Sequence, residues 1–208
     1  MACIVVGGHS RNIGKTQLAV EIIRVFPAAR WTAAKITQYG HGVCSINGED
    51  CHCALDEHAF AVQVERDHSG RSDTSRFLAA GAERALWVRC KQGRLAEAMP
   101  LFRRHMAEAH NLLIESNTVL HFLQPDLYLP LLDFSVDDFK ASSREFLDRA
   151  DAYVLLAPRA PRPSWEAVSL RQLERRPVFV VWPEKLCSAS LAAFIRERVF
   201  ASPTRTTS

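Results

Sequence analysis

The stretch Gly7-Gly8-His9-Ser10-Arg11-Asn12-Ile13-Gly14-Lys15-Thr16 decides how the rest of the chain is read. It follows a short apolar run, residues 4–6, and opens an amphipathic segment, residues 15–26. Strand, glycine-bearing loop and helix in that order are what a phosphate loop requires. Successive backbone N–H groups curl around phosphate oxygens, and the helix N-terminus adds its partial positive charge. In such a loop Lys15 reaches the β- and γ-phosphates and the Thr16 hydroxyl ligates Mg²⁺. The expected phosphate-contacting set is Gly8, His9, Ser10, Asn12, Ile13, Gly14, Lys15, Thr16 and Gln17. One departure stands out. Counting back from Gly14, the usual first glycine position holds His9, so the loop reads G-x5-G-K-T. The extra residue leaves the chemistry possible, because backbone amides supply most of it.

Outward from the loop, short apolar runs alternate with amphipathic segments. Residues 4–6, 32–36, 85–88, 112–114, 127–132, 153–156 and 178–182 read as buried strands, continuous rather than alternating. Residues 15–26, 74–80, 95–110, 142–148 and 189–200 read as helices. In the third, Leu95, Met99, Phe102 and Met106 recur on one face. This alternation predicts a three-layer α/β fold, a mainly parallel sheet with helices on both faces. Ligands of such folds sit beyond the carboxyl ends of the strands. Residues 37–72 break the rhythm, with no convincing strand or long helix, and are expected to be a long loop, functional or disordered. The organisation predicted is one nucleotide-binding domain over 1–200, with 37–72 as an insert and 201–208 as a frayed tail. No internal repeat is present.

Three downstream residues complete a candidate catalytic set with Lys15. Lys35 ends the second strand and would add a second cation over the phosphates. Two of only five lysines, against 21 arginines, thus fall at proposed phosphate positions. Asp73 opens a helix, where it suits an N-cap as well as a Mg²⁺ or water ligand. Leu112-Leu113-Ile114-Glu115 is an apolar strand ending in a carboxylate, which delivers an acid to a metal or its water. Lys15, Lys35 and Glu115 are the expected catalytic residues, and Thr16, Asp73 and Glu115 the expected Mg²⁺ ligands. Asn117 is a weaker candidate for orienting water or substrate.

These motifs carry a resemblance. The loop of residues 8–16 resembles the G-T-D-T-x-V-G-K-T loop of dethiobiotin synthetases, and Ala33-Ala34-Lys35-Ile36-Thr37-Gln38 resembles their K-P-x-Q stretch. Ser72-Asp73-Thr74-Ser75-Arg76, followed by Ala80-Gly81-Ala82, is similar to the D-S-x-R…A-G-A stretch of the molybdopterin-guanine dinucleotide biosynthesis protein B family. Both families belong to the SIMIBI class of P-loop proteins. The resemblance implies a parallel sheet, a Mg²⁺-dependent NTPase using ATP or GTP, and an accessory role in molybdenum-cofactor maturation. It also implies a nucleoside triphosphate as ligand, with a homodimer or a partner biosynthetic enzyme. The lysine found early in the loop of many dimeric members is replaced by Ser10. No Asn-Lys-x-Asp motif for reading guanine is present. Two alternatives stay open: a small-molecule kinase or ATP-dependent ligase of the dethiobiotin synthetase type, and a metallochaperone GTPase. A nucleotide-sensing module without turnover is a third.

Six cysteines are the unusual entry in the composition. Cys3, Cys90 and Cys187 adjoin expected strands and need only packing. Cys44, Cys51 and Cys53 fall together with His41 and His58 in the 37–72 segment. Thiolates and imidazoles in that mixture suit Zn²⁺ better than an iron–sulfur cluster, and a flexible loop of reduced cysteines is the plain alternative. Composition excludes other classes. A net charge of +3 with 26 basic and 23 acidic residues gives no footprint for nucleic acid. No apolar run approaches a membrane span, and no signal-like segment opens the chain, so a cytoplasmic protein is expected.

Overall fold

The computed structural model describes residues 1–39, 60–157, 162–165 and 168–201. Eight strands form one sheet: β1 Cys3–Gly8, β2 Trp31–Tyr39, β3 Phe60–Val64, β4 Arg84–Lys91, β5 Asn111–Glu115, β6 Leu127–Leu132, β7 Tyr153–Leu156 and β8 Val178–Val181. Their spatial order is β3-β4-β2-β5-β1-β6-β7-β8. All neighbours are parallel except β3, which runs antiparallel to β4. Six helices accompany them: α1 Lys15–Val25, α2 Asp73–Ala79, α3 Leu95–Ala107, α4 Ala141–Phe146, α5 Arg171–Arg175 and α6 Ala189–Ile195.

Two cores, one on each face, follow from the period-two geometry of the strands. Ile4, Val6, Ala33, Ala85, Leu113 and Leu129 point to one side and meet Leu18, Ile22 and Ile23 of α1, Phe77 of α2 and Leu191 of α6. Val5, Ala34, Leu86, Val88, Leu112, Ile114 and Tyr128 point to the other, against Leu95, Ala98, Met99 and Phe102 of α3 and Phe146 of α4. Strands covered on both faces need apolar residues at consecutive positions, which is why their runs are continuous in sequence. Each fully buried Leu or Ile side chain contributes about 1.5–3 kcal/mol. The fold is therefore three-layer α/β.

Four elements differ from the sequence expectation. β3 lies within the 37–72 segment that was expected to hold no strand, and β2 runs on to Tyr39. β3 sits at the sheet edge with one covered face. Phe60 and Val62 pack against the α3 core, while Ala61 and Gln63 face the other way. Its apolar run is only residues 60–62, set inside a stretch rich in glycine, cysteine and histidine, so the segment as a whole reads as loop. α5 is a five-residue helix with no buried residue, which leaves no periodic signal. Helix α6 is regular only to Ile195, and residues Arg196–Phe200 widen into a π turn.

The sheet's central strand delivers the loop through an unusually close contact. A Cβ at Gly7 would lie 2.3 Å from Asn117 Oδ1 and 2.7 Å from the Tyr128 ring. Room for that approach lets the Asn117 amide clamp the next residue. Gly8 N–H donates to Asn117 Oδ1 at 3.0 Å, and Asn117 Nδ2 donates to the Gly8 carbonyl at 2.9 Å. Gly7→Ala is expected to destabilise the protein by about 1–3 kcal/mol through overpacking. For a chain of this size the melting temperature should fall by several degrees, about 2–4 °C per kcal/mol. A melting curve unchanged from wild type would show that the clamp yields without cost.

Candidate functional site

Gly14 ends the loop in the left-handed region, φ 100°, and caps α1 without a side-chain bond. Glycine adopts that conformation without penalty, and it turns the chain so that Lys15 and Thr16 begin the helix. The amides of Lys15, Thr16 and Gln17 have no acceptor within the helix. The Lys15 ammonium folds back onto the Ser10 carbonyl. Its pKa is lowered, chiefly by burial, which the carboxylate of Glu115 offsets only in part.

Beside it, four side chains from four elements converge. Thr16 Oγ1 donates to Glu115 Oε2 at 2.7 Å. The Lys35 ammonium donates to Thr16 Oγ1 and to Glu115 Oε1, each at 3.2 Å, and pairs with Asp73. Burial works against the Lys35 charge, but Glu115 and Asp73 outweigh it and hold its pKa above the ordinary lysine value. Sequence reasoning aimed Lys35 at the phosphates. The structure sets it instead among the three residues expected to ligate Mg²⁺.

Asp73 reaches Lys35 because it does not cap α2. Ser72 is the cap: its hydroxyl accepts from Ser75 N–H at 3.1 Å, and Ser75 Oγ accepts from Ser72 N–H at 2.8 Å. That reciprocal capping box leaves the Asp73 carboxylate to face β2. Arg76 extends the network, donating to Gln17 Oε1 at 2.5 Å and lying 3.5 Å from Asp73. Gln17 in turn donates to Glu21 at 2.9 Å. Asn117, a sequence candidate for orienting water, spends its amide on Gly8.

His9, placed by the sequence among the phosphate contacts, is turned the other way. It is fully buried. Its N–H donates to the Leu131 carbonyl at 3.3 Å, and its carbonyl accepts from Lys140 N–H at 2.8 Å. Nε2 accepts from Asp133 N–H at 3.0 Å, so Nδ1 carries the proton and donates to the Asp138 carbonyl at 2.8 Å. The ring lies 4.7 Å from Trp165 and 5.3 Å from Phe139, centroid to centroid. Burial lowers its pKa. The residue that lengthens the loop thus ties it to residues 133–140. Ser10 is held by the same segment, donating to Asp138 Oδ2 at 2.6 Å. Ile13 is buried and Asn12 takes a positive φ of 53°.

This tie brings in a residue that no motif marks. Lys140, far along the chain, is seated by its bond to the His9 carbonyl, and its ammonium is half-buried near Lys15 and Arg11. Burial first, then repulsion by Lys15 and Arg11, brings its pKa down to about 8. A lysine whose folded pKa is depressed is destabilising while charged. Its contribution to stability therefore rises with pH between about 8 and 10.5. Lys140→Met is expected to raise unliganded stability at pH 7 by about 1–2 kcal/mol, after allowance for solvent screening. The same change should weaken binding of a phosphate ligand. Urea unfolding with and without inorganic pyrophosphate separates the two effects. A variant less stable than wild type would contradict the argument.

The proposed zinc ligands Cys44, Cys51, Cys53, His41 and His58 lie outside the described residues. Among the described residues, Cys3, Cys90 and Cys187 are free and buried. No group of three or more His, Cys, Asp or Glu among them is arranged to hold a metal. No helix among them is long and apolar enough to cross a membrane.

Fold and site together define a three-layer α/β protein whose first helix starts on a half-buried lysine and a buried threonine, faced by a lysine and two carboxylates. No protein-family model matches the chain, and no curated protein matches it in sequence. Among solved structures, the crystal structure of HypB from Helicobacter pylori in complex with nickel is similar, with a TM-score of 0.45 and 13% identity, covering 93% of this chain and 85% of that one. A likeness at that level carries nothing about what this chain binds.

Proposed function

We propose that the chain binds a nucleoside triphosphate with Mg²⁺ at the loop of residues 8–16 and hydrolyses or transfers its terminal phosphate. The observation that carries this reading is the convergence of Lys15, Thr16, Lys35, Asp73 and Glu115 at the start of α1. The donors facing Lys35 are a hydroxyl and two carboxylates, all hard oxygens, and such a set fits Mg²⁺. Thr16, Glu115 and Asp73 would hold the ion, which supplies charge neutralisation at the bridging phosphate oxygens. Lys15 exchanges the Ser10 carbonyl for phosphate oxygens, and a buried ammonium with a lowered pKa gains most from that exchange. Lys35 is positioned to follow the developing negative charge, because its present partners are those the metal would take. The amides of Lys15, Thr16 and Gln17 complete the electrostatic stabilisation.

The finer setting, an accessory step in molybdenum-cofactor maturation, is supported by the similarity of residues 8–16 and 72–76 to the families named above. A thermal-shift panel of ATP, GTP, their diphosphates and Mg²⁺ tests the core of the reading. At a hundredfold excess over Kd, a bound triphosphate adds about 2.7 kcal/mol, or about 5–10 °C. Absence of any Mg²⁺-dependent shift with either triphosphate would sink it. A metal-dependent release of inorganic phosphate then separates turnover from binding alone.

A further inference from the structure

The polar row that contains Lys35 does not stop at the proposed phosphate site. In register across the sheet lie Glu115 of β5, Lys35 of β2, Trp87 of β4 and Gln63 of β3. Laterally paired residues share a face, and this row shares the face of Ala33 and Ala85, which belong to the core under α1 and α2. The side chains Phe77 and Leu78 of α2 cover that earlier level. One step toward the carboxyl ends the sheet is left half-exposed at Lys35, Thr37, Trp87 and Arg89.

Three of these residues are tied to one another. Trp87 Nε1 donates to Thr37 Oγ1 at 3.0 Å, which fixes the indole plane. The Arg89 guanidinium lies over that ring, 4.5 Å from its centroid. Arg89 Nε is shielded from solvent and has no hydrogen-bond partner among the described residues. Buried donors are almost always paired, and an orphan of this kind marks a missing acceptor. Stacking on an aromatic face leaves the in-plane N–H groups of a guanidinium free, in a fork that matches the two oxygens of a carboxylate or phosphate.

We propose that Arg89, held over Trp87, receives the carboxylate or phosphate group of a second small molecule. That group would lie one strand across and two residues beyond Lys35, roughly 8 Å away on the same face. Its place beside a nucleotide's terminal phosphate rests on the function proposed above; the anion site does not. The arrangement suits the acceptor or regulator of a phosphate-transferring centre, since Arg89 lies on the Lys35 face one register step further on, opposite Thr37, and keeps its own cation.

The test uses the full chain labelled with 5-fluorotryptophan, without nucleotide. Four tryptophans give four ¹⁹F resonances, and Trp87→Phe assigns the relevant one. Inorganic phosphate and succinate are titrated separately, which distinguishes the two sources of the oxyanion. The Trp87 resonance is expected to shift saturably with at least one of them, equally in wild type and Lys15→Met. In Arg89→Gln, and in Arg89→Lys, which keeps the charge but loses the fork, affinity should fall at least tenfold. No response to either anion overturns the proposal, and so does an undiminished response in Arg89→Gln. A phosphate response that vanishes in Lys15→Met, with none to succinate, places the anion in the loop; it overturns the second site and favours the nucleotide reading. A Trp87 response that survives while the triphosphate panel is flat overturns the proposed function and leaves this site standing.

Discussion

Lys15→Met is expected to reduce triphosphate affinity by about 2–5 kcal/mol, or roughly 30-fold and upward, without loss of the fold. Truncating one member of a desolvated, hydrogen-bonded charge pair has an effect of that size, because the phosphate oxygens are left without their cation. Methionine keeps the apolar stem, which packs close to Gly8. The unliganded protein should be no less stable than wild type. Lys15 is half-buried, its pKa is lowered by desolvation, and its direct partner among the described residues is the Ser10 carbonyl. Removing the charge therefore relieves a desolvation cost. Titration calorimetry with Mg²⁺ and triphosphate, alongside urea unfolding, measures both halves. Undiminished affinity would overturn the placement of phosphates in this loop.

Lys35→Met should act with the opposite sign on stability. Here the pKa is raised, so the charge stabilises the folded state, and its contribution is lost only as pH climbs above the ordinary lysine value. Removing it leaves Glu115, which is almost wholly buried, without its direct cation, while Asp73 keeps Arg76. Uncompensated buried charge costs about 3–5 kcal/mol. The exposure of Asp73, 40% of its side chain, moderates this to about 2–4 kcal/mol. The double variant Lys35→Met, Glu115→Gln should recover much of the loss, because the interaction belongs to the pair. Mg²⁺ alone should also protect Lys35→Met against unfolding more than it protects wild type, since the three oxygen donors are then uncontested. A single variant within about 0.5 kcal/mol of wild type would show that the cluster is a solvated surface pair.

The two lysines illustrate how much of the site a sequence can carry. Lys15 is legible because strand, loop and helix are contiguous, and its role follows from local backbone geometry. Glu115 is legible as a carboxylate at the end of an apolar run. Asp73 was read as a cap or a ligand, and the capping box formed by Ser72 and Ser75 settles which backbone it leaves free. The position of Lys35 among these three was not legible, because it depends on β2 lying between β4 and β5. His9 shows the converse. A histidine at a glycine's usual place invites a ligand role, yet its ring is consumed by contacts with residues 133–140 and Trp165, which no spacing rule connects to it. Lys140 and Arg89 were missed for the same reason: neither sits in a motif, and each acquires meaning from what it is folded against.

The sequence by itself determined the fold class and the phosphate-loop candidate, since continuous apolar runs and a Gly-Lys-Thr at a helix start are local signals with local causes. It also set the division of the described cysteines into the core, where Cys3, Cys90 and Cys187 lie buried. Only the tertiary structure decided strand order, and with it every pairing that makes the site. Lys35 meets Glu115 and Trp87 because a parallel sheet places residues from distant strands about 4.8 Å apart in register. Charges separated by dozens of residues act on one another only once low-dielectric burial brings them within a few ångströms. That is why the fold could be read from one strand and one loop, while the electrostatics of the site required the whole sheet.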